Sequence, residues 1–233
     1  MIEIGGLQKL TLIDYPGKIA CTVFLIGCNF RCPFCYSLEF VLPEKIKKQP
    51  KIPEKDFFNF LKERKGLLEA VVLCGGEPTI YKDLPEFCKK IKELGYLVKL
   101  DTNGSNPEML KGLIDKKLID YAAMDIKAPK KKYDFYAGKK VNISKIENSI
   151  NILKQGKIDY EFRTTVAPGL SREDVIKIAN WIGPAKKYFL QEFSKQKEVI
   201  DSSILSLPIL KKQVLEKIIE KIKSNFEICK LRS

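Results

Sequence analysis

Six times between residues 19 and 193, a short strand-like run gives way to apolar residues spaced three and four apart. The runs are "IACTVFLI" (19–26), "AVVLC" (70–74), "YLVKLD" (96–101), "IDYAAMDI" (119–126), "YEFRTTV" (160–166) and "KYFLQEF" (187–193). The first intervening helix, in "EKDFFNFLKERKG", gathers Phe57, Phe58 and Leu61 on one face between Pro53 and Gly66. The second gathers Leu84, Phe87, Cys88, Ile91 and Leu94 before a stop at Gly95. "PEMLKGLIDKK" reads as a third, and Ser144 with Glu147 as a capping box ahead of a fourth carrying Ile146, Ile150 and Leu153. Ser171 opens a fifth with Val175, Ile178 and Ile182 inward, and a last helix falls near 208–224. Strands joined through helices are parallel, so the alternation predicts an α/β fold with a parallel sheet and outer helices. Such a sheet is either open and doubly wound or curled toward a barrel. A chain of 233 residues, 45% hydrophobic, can bury one sizeable core. We therefore expect one domain: an N-terminal extension (1–18), a barrel core (19–193) and a C-terminal helical segment (194–233).

In either parallel architecture ligands bind beyond the carboxyl ends of the strands. All six strand exits carry residues that packing does not require. The first has three cysteines in "IGCNFRCPFCYS" (26–37), the second "GGEP" (75–78), the third "DTNG" (101–104). "MDIK" (124–127), "RTTVAPG" (163–169) and "QEF" (191–193) close the others. Separate loops converging on one rim weigh more than any single motif.

The spacing of Cys28, Cys32 and Cys35 supplies three thiolates, whereas a closed zinc or iron–sulfur site takes four protein ligands. In a 4Fe-4S cube, three would leave one iron open to a substrate or cofactor. Cys74 is either a fourth ligand on the same rim or a small core hydrophobe, and Cys21 and Cys88 read as core. Cys229 falls in a tail. A zinc knuckle completed by a distant ligand is the structural alternative. The chain has no histidine, which removes Ser-His and Cys-His pairs, Cys/His zinc sites and an imidazole shuttle. Seven cysteines, odd in number and clustered, argue against a disulfide framework and for a reducing compartment. No run approaches the ~20 apolar residues of a bilayer span, so a cytoplasmic protein without membrane attachment is expected. The formal net charge of +13 comes with lysines spread evenly and no Arg-aromatic interleaving, so nucleic acid is not the expected partner.

A C-x3-C-x2-C loop after the first strand, "GGEP" after the second and six βα units resemble the radical S-adenosylmethionine (SAM) enzymes, whose core is a partial (β/α)6 barrel. The resemblance spans nearly the whole chain. It implies that Cys28, Cys32 and Cys35 hold a 4Fe-4S cluster whose open iron is chelated by the methionine moiety of SAM. Gly75 and Gly76 would let backbone approach the amino group, with Glu77 holding the turn. Asp101, Thr102, Asp125 and Lys127 resemble the set that receives the methionyl carboxylate, helped by Lys127 or by a monovalent cation between Asp101 and Asp125. Asp101 could instead cap the "TNG" turn. Arg163 could fork onto ribose or carboxylate oxygens, or form an ordinary ion pair with a barrel acid. Gln191 would face the nucleoside. By this resemblance one electron cleaves the sulfonium, a 5′-deoxyadenosyl radical takes hydrogen from a substrate, and no barrel residue acts as catalytic acid or base.

The opening "IGGLQKLTLIDYPGKIACTVFLIGCNFRCPFC" is similar to the activating proteins of anaerobic ribonucleoside-triphosphate reductase and to pyruvate formate-lyase activating enzymes. That implies a glycyl-radical enzyme as partner, which gives up a hydrogen from a glycine Cα; the basic net charge in turn fits an acidic electron donor such as a flavodoxin or ferredoxin. After the third cysteine these relatives often carry His-Asn where this chain has Tyr36-Ser37. Two rivals stand beside the activase: a radical enzyme acting on a small molecule, and a non-enzymatic iron–sulfur or zinc-binding protein.

Overall fold

The computed structural model describes residues 1–196 and 198–232. Eight strands form one sheet in strictly sequential order: β1 (Ile4–Thr11), β2 (Ala20–Leu25), β3 (Ala70–Gly75), β4 (Leu97–Thr102), β5 (Tyr121–Asp125), β6 (Asp159–Val166), β7 (Ala185–Glu192) and β8 (Phe226–Arg232). β1 runs antiparallel to β2, and every later pair is parallel. A doubly wound sheet reverses its strand order at a switch point. Sequential order does not, so right-handed crossovers put every helix on one side and the other side becomes a lumen. The architecture is a partial barrel, with β1 and β8 as the two edges.

The nine helices among the described residues are α1 (Leu38–Val41), α2 (Pro43–Ile46), α3 (Glu54–Glu63), α4 (Leu84–Glu93), α5 (Pro107–Asp115), α6 (Tyr133–Ala137), α7 (Ile143–Lys154), α8 (Arg172–Ile182) and α9 (Lys212–Ile222). Helix α8 starts at the expected cap, with Ser171 and Asp174 satisfying each other's backbone N–H in a capping box. Helix α7 does not start as expected. Asn142, not Ser144, is its cap, accepting from Ser144 N at 3.0 Å, because Asn reaches the exposed amides two residues earlier.

The six anticipated strands are β2 to β7. The two strands that flank them, β1 and β8, lie in the segments read as an extension and a helical tail. Cys229, assigned to a tail, stands on β8 opposite Tyr188. Both edge strands are half exposed, so they lack the continuous apolar run that marks the inner ones.

Successive strand residues face opposite sides of the sheet. The outward set, including Val23, Leu25, Val71, Leu73, Val98 and Leu100, joins Phe57, Leu61, Phe87 and Ile91 of the helices in the main core. Each such side chain contributes about 1.5–3 kcal/mol of burial. The inward set is different. At the amino-terminal end of the lumen a small apolar floor forms from Ala20, Ala70, Val72 and Tyr121, plugged by Tyr15 from the β1–β2 loop with its ring 5.6 Å from that of Tyr121. Above this floor the lumen is ionic, carrying Lys99 and Asp101 on β4, Asp125 on β5, and Glu161 and Arg163 on β6. Ordinary (β/α) barrels fill that space with branched apolar side chains. Charges held here require partners, and those partners define the site.

Candidate active site

The loop after β2 carries the three cysteines to the carboxyl end of the sheet. There they line a cavity of about 210 Å³ together with Cys74, Gly75, Gly76, Glu77, Asp101, Thr102, Asp125, Lys127 and Arg163. Arg31 shapes the loop from within, its Nη1 donating to the carbonyls of Cys28 (2.6 Å) and Phe30 (2.7 Å). All seven cysteines are free thiols. Burial pushes Cys28 up to about 11 and Cys32 up to about 12, and raises Cys35 as well. These thiols are protonated until a metal displaces the protons. Among the described residues no three Cys, Asp or Glu side chains sit closely enough to hold a single metal ion. The fit to an iron–sulfur group rests instead on the donor set, three free thiols from one loop facing one cavity.

Glycines hold that loop in place. A Cβ on Gly76 would overlap the Gly27 carbonyl, and one on Gly75, at φ +103°, would lie 2.5 Å from Leu25 N. The same contact is built of hydrogen bonds, Gly76 N to Leu25 O and Glu77 N to Gly27 O, each 2.8 Å. At the loop's other side Arg31 N donates to Ala137 O at 2.8 Å, and a Cβ on Gly138, at φ +66°, would overlap Arg31 O. Backbone therefore touches backbone on both flanks of the cysteines, which only glycine permits.

Glu77, 1% exposed, braces two strand exits. It accepts from Thr79 N (3.1 Å), Thr79 Oγ1 (2.5 Å), Thr102 Oγ1 (2.7 Å) and Asn103 N (2.6 Å). Burial raises its carboxyl above the usual range even against these four donors. Asn103 Nδ2 continues the brace to Asn29 Oδ1 at 2.9 Å, within the cysteine loop.

The ionic centre is a fork. Arg163 Nη1 donates to Asp101 Oδ2 (2.9 Å) and Nε to Asp125 Oδ1 (2.8 Å), while Lys99 meets Asp101 (2.5 Å) and Lys127 meets Asp125 (2.9 Å). Burial alone would raise both carboxyls. Arg163 with Lys99, and Arg163 with Lys127, outweigh it and hold Asp101 and Asp125 below the ordinary range. Asp101 does not cap the "TNG" turn. That turn is held by Thr102 Oγ1 on Gly104 N (3.1 Å) and Asn103 Oδ1 on Ser105 N (2.9 Å). Arg163 pairs with barrel acids, two of them, and occupies the space between the carboxylates.

The radical SAM superfamily profile matches residues 22–182, from β2 through α8 and across all three cysteines. The chain belongs to that superfamily. Membership implies a 4Fe-4S cluster and SAM as its cofactors. Two relatives from Methanocaldococcus jannaschii carry provisional names as glycyl-radical enzyme activating enzymes. One is 35% identical over 92% of this chain and 89% of its own, the other 28% identical over 76% and 68%. Among solved structures, Streptococcus suis SuiB bound to S-adenosylmethionine superposes with a TM-score of 0.62 at 18% identity. That match covers 88% of this chain, which spans about half (48%) of SuiB. At that identity the likeness shows the fold alone.

Of the twelve residues that the resemblance assigns to the cluster and SAM in this radical SAM chain, eleven line the one cavity and Gln191 does not. Gln191 stands beside the lining residue Thr165 on the next strand, its Oε1 3.5 Å from Thr165 Oγ1. Sequence reasoning missed Phe30, Phe34, Val41 and Thr165 in the lining, along with the Asn29 brace. Tyr36 also lines the cavity, and its hydroxyl donates to Ser194 O (3.0 Å) and accepts from Ser194 N (2.6 Å), while its ring stacks 5.4 Å from Phe193. Tyr36 thus ties the cysteine loop to the exit of β7.

The fork predicts a pH dependence of known sign. Both folded carboxyl values lie below the unfolded one, so their contribution is complete above about pH 4 and is lost as pH falls through the folded values. Urea midpoints should be flat from about pH 7 to 5 and fall steeply below about 4. Asp125→Asn, with one carboxylate fewer to protonate, should show a shallower fall. A midpoint that rose on acidification would contradict the sign.

Proposed function

We propose that this radical SAM protein is an activating enzyme that takes a hydrogen atom from a glycine Cα of a partner enzyme, leaving a glycyl radical there. The partner we assign is an anaerobic ribonucleotide reductase. The observation that carries the reading is the convergence of three free thiols, a glycine turn and a carboxylate–cation fork on one cavity. Likeness to activating enzymes along most of both chains supports it.

In this reading Cys28, Cys32 and Cys35 hold three irons of the cluster, and the fourth is left for SAM. Together the cluster and SAM supply, when bound, a carbon-centred radical able to take a hydrogen atom. Gly75 and Gly76 leave their backbone bare toward the amino group of SAM. Thr102, Lys127 and Arg163 receive its carboxylate, with Asp101 and Asp125 orienting the cations. A monovalent cation at the same place would compete with Arg163 for both carboxylates. Gln191 acts on the nucleoside side only through Thr165. Phe30, Phe34, Tyr36 and Val41 form the apolar wall that keeps water from the reacting atoms. Between edges β1 and β8 the barrel is open, giving a loop of another protein a way in. The net charge of +13 suits an acidic flavodoxin or ferredoxin as electron donor.

The test is electron paramagnetic resonance on protein reconstituted anaerobically, reduced and mixed with SAM and a candidate reductase. The cluster signal should shift on adding SAM, and a glycyl doublet should appear that is absent from a glycine-to-alanine reductase. Cofactor cleavage driven by a small molecule without any protein would replace the activase with a small-molecule enzyme. A cluster signal indifferent to SAM would remove the radical chemistry altogether.

A further inference from the structure

Glu161 is 1% exposed in the lumen, two residues before Arg163 on the same strand and so on the same side of the sheet. Its charge is met from the far edge of the barrel. Arg232 on β8 donates through Nη1 and Nη2 to both carboxylate oxygens, at 2.6 and 2.8 Å, and Tyr121 adds its hydroxyl at 2.9 Å. The guanidinium lies over the Phe189 ring, 3.5 Å from its centroid. This is a bidentate, stacked arginine reaching across β7 to a buried acid, a geometry no lysine reproduces. Nothing in the proposed chemistry touches either residue.

The fork above explains what the pair does. Arg163 feels Asp101, Asp125 and Glu161 together, and it can serve two of the three. The neighbouring cations Lys99 and Lys187 are already taken by Asp101 and Asp159. A buried carboxylate stripped of its cation is strongly unfavourable, so without Arg232 the remedy for Glu161 on its own strand is Arg163, two residues on. We propose that Arg232 is a positioning residue: by saturating Glu161 it leaves Arg163 forked between Asp101 and Asp125, and so sets the arrangement that receives the carboxylate of SAM. The last clause rests on reading this cavity as the SAM site. The effect on Arg163 does not.

Two measurements separate these layers. In cluster-free, 15N-labelled protein the Arg163 Nε–H, bonded to Asp125, should give a slowly exchanging arginine resonance, assigned by its loss in Arg163→Lys. Arg232→Met should speed that exchange about tenfold or more, and Arg232→Met with Glu161→Gln should restore it, since a neutral amide no longer draws the guanidinium. In cluster-loaded protein, calorimetric titration should show SAM binding weakened about tenfold in the single variant and within about threefold of the parent in the double. An unchanged Arg163 resonance in Arg232→Met, or a double variant as impaired as the single, overturns the inference and leaves Arg232 a structural brace. Failure of the parent to bind SAM would sink the cofactor reading, while the resonance still decides the positioning. Should Arg232→Met not fold, Arg232→Lys keeps the charge and loses the bidentate geometry. Glu161→Gln must then rescue its two- to threefold weaker binding, and equal loss with or without that change overturns the inference.

Discussion

Gly76→Ala is expected to yield a folded chain that takes up less than about a tenth of the parent's iron on anaerobic reconstitution, read by iron content and the visible absorbance of the cluster. The added methyl meets the Gly27 carbonyl, and no rotamer relieves a clash between backbone atoms. One strand exit must move, and Gly27 immediately precedes Cys28. Overpacking of this kind costs about 1–3 kcal/mol, which a 233-residue chain survives while its cysteine loop does not keep its place. Gly138→Ala should do the same from the other flank, adding a side chain at φ +66° against Arg31 O, next to Cys32. Gly112, helical and with open space around it, provides the control, since Ala there should stabilise by about 0.5–1 kcal/mol. The outcome also separates two roles of the glycine turn. Normal iron with lost SAM affinity would make Gly76 a cofactor contact and not a seat for the loop.

Arg163→Met is the second large effect. It leaves Asp101 and Asp125 with one lysine each in a site where their side chains are 11% and 28% exposed. Removing one partner of a buried ionic set costs about 3–5 kcal/mol. The lower end applies here because both lysines remain and Asp125 is not fully enclosed. Melting should fall by about 6–12 °C for a chain of this size. Acid unfolding should begin at higher pH, because both carboxyls lose the cation that held them low. A variant as stable as the parent would show that the fork carries no net stabilisation, and SAM binding would then be the only reason for Arg163 to be there.

What could be read beforehand and what could not divide along physical lines. The inner strands β2 to β7 announce themselves because both faces are buried, giving runs such as "AVVLC". Their exits were legible because Gly-Gly, Asp-Thr-Asn-Gly and three close cysteines serve no packing purpose. Strands β1 and β8 were not legible. "IGGLQKLT" and "FEICKLR" mix polar and apolar residues without a continuous apolar run, and the first holds two glycines. The fork was half visible: Asp101, Asp125, Lys127 and Arg163 were named but Lys99 was not, and their pairing depends on which strand neighbours which. Register sets Asp125 opposite Arg163, and no single-chain pattern encodes that. The second reason for Gly76 was hidden for the same cause, since it lies in the path of another loop. The Glu161–Arg232 contact joins residues 71 positions apart, and neither carries a local signal.

That last separation orders events in time as well as in space. A ribosome delivers β6 with Glu161 well before β8 with Arg232, so for the interval the emerging barrel holds an acid whose counter-ion has not yet been made. Tyr121, which carries no charge, and Arg163 on the same strand as Glu161 are the partners available in the meantime. The bare edge of β7 persists for the same interval, awaiting the strand that will pair with it. Pairing of Glu161 is therefore completed from β8, the last strand of the sheet, once Arg232 has been made.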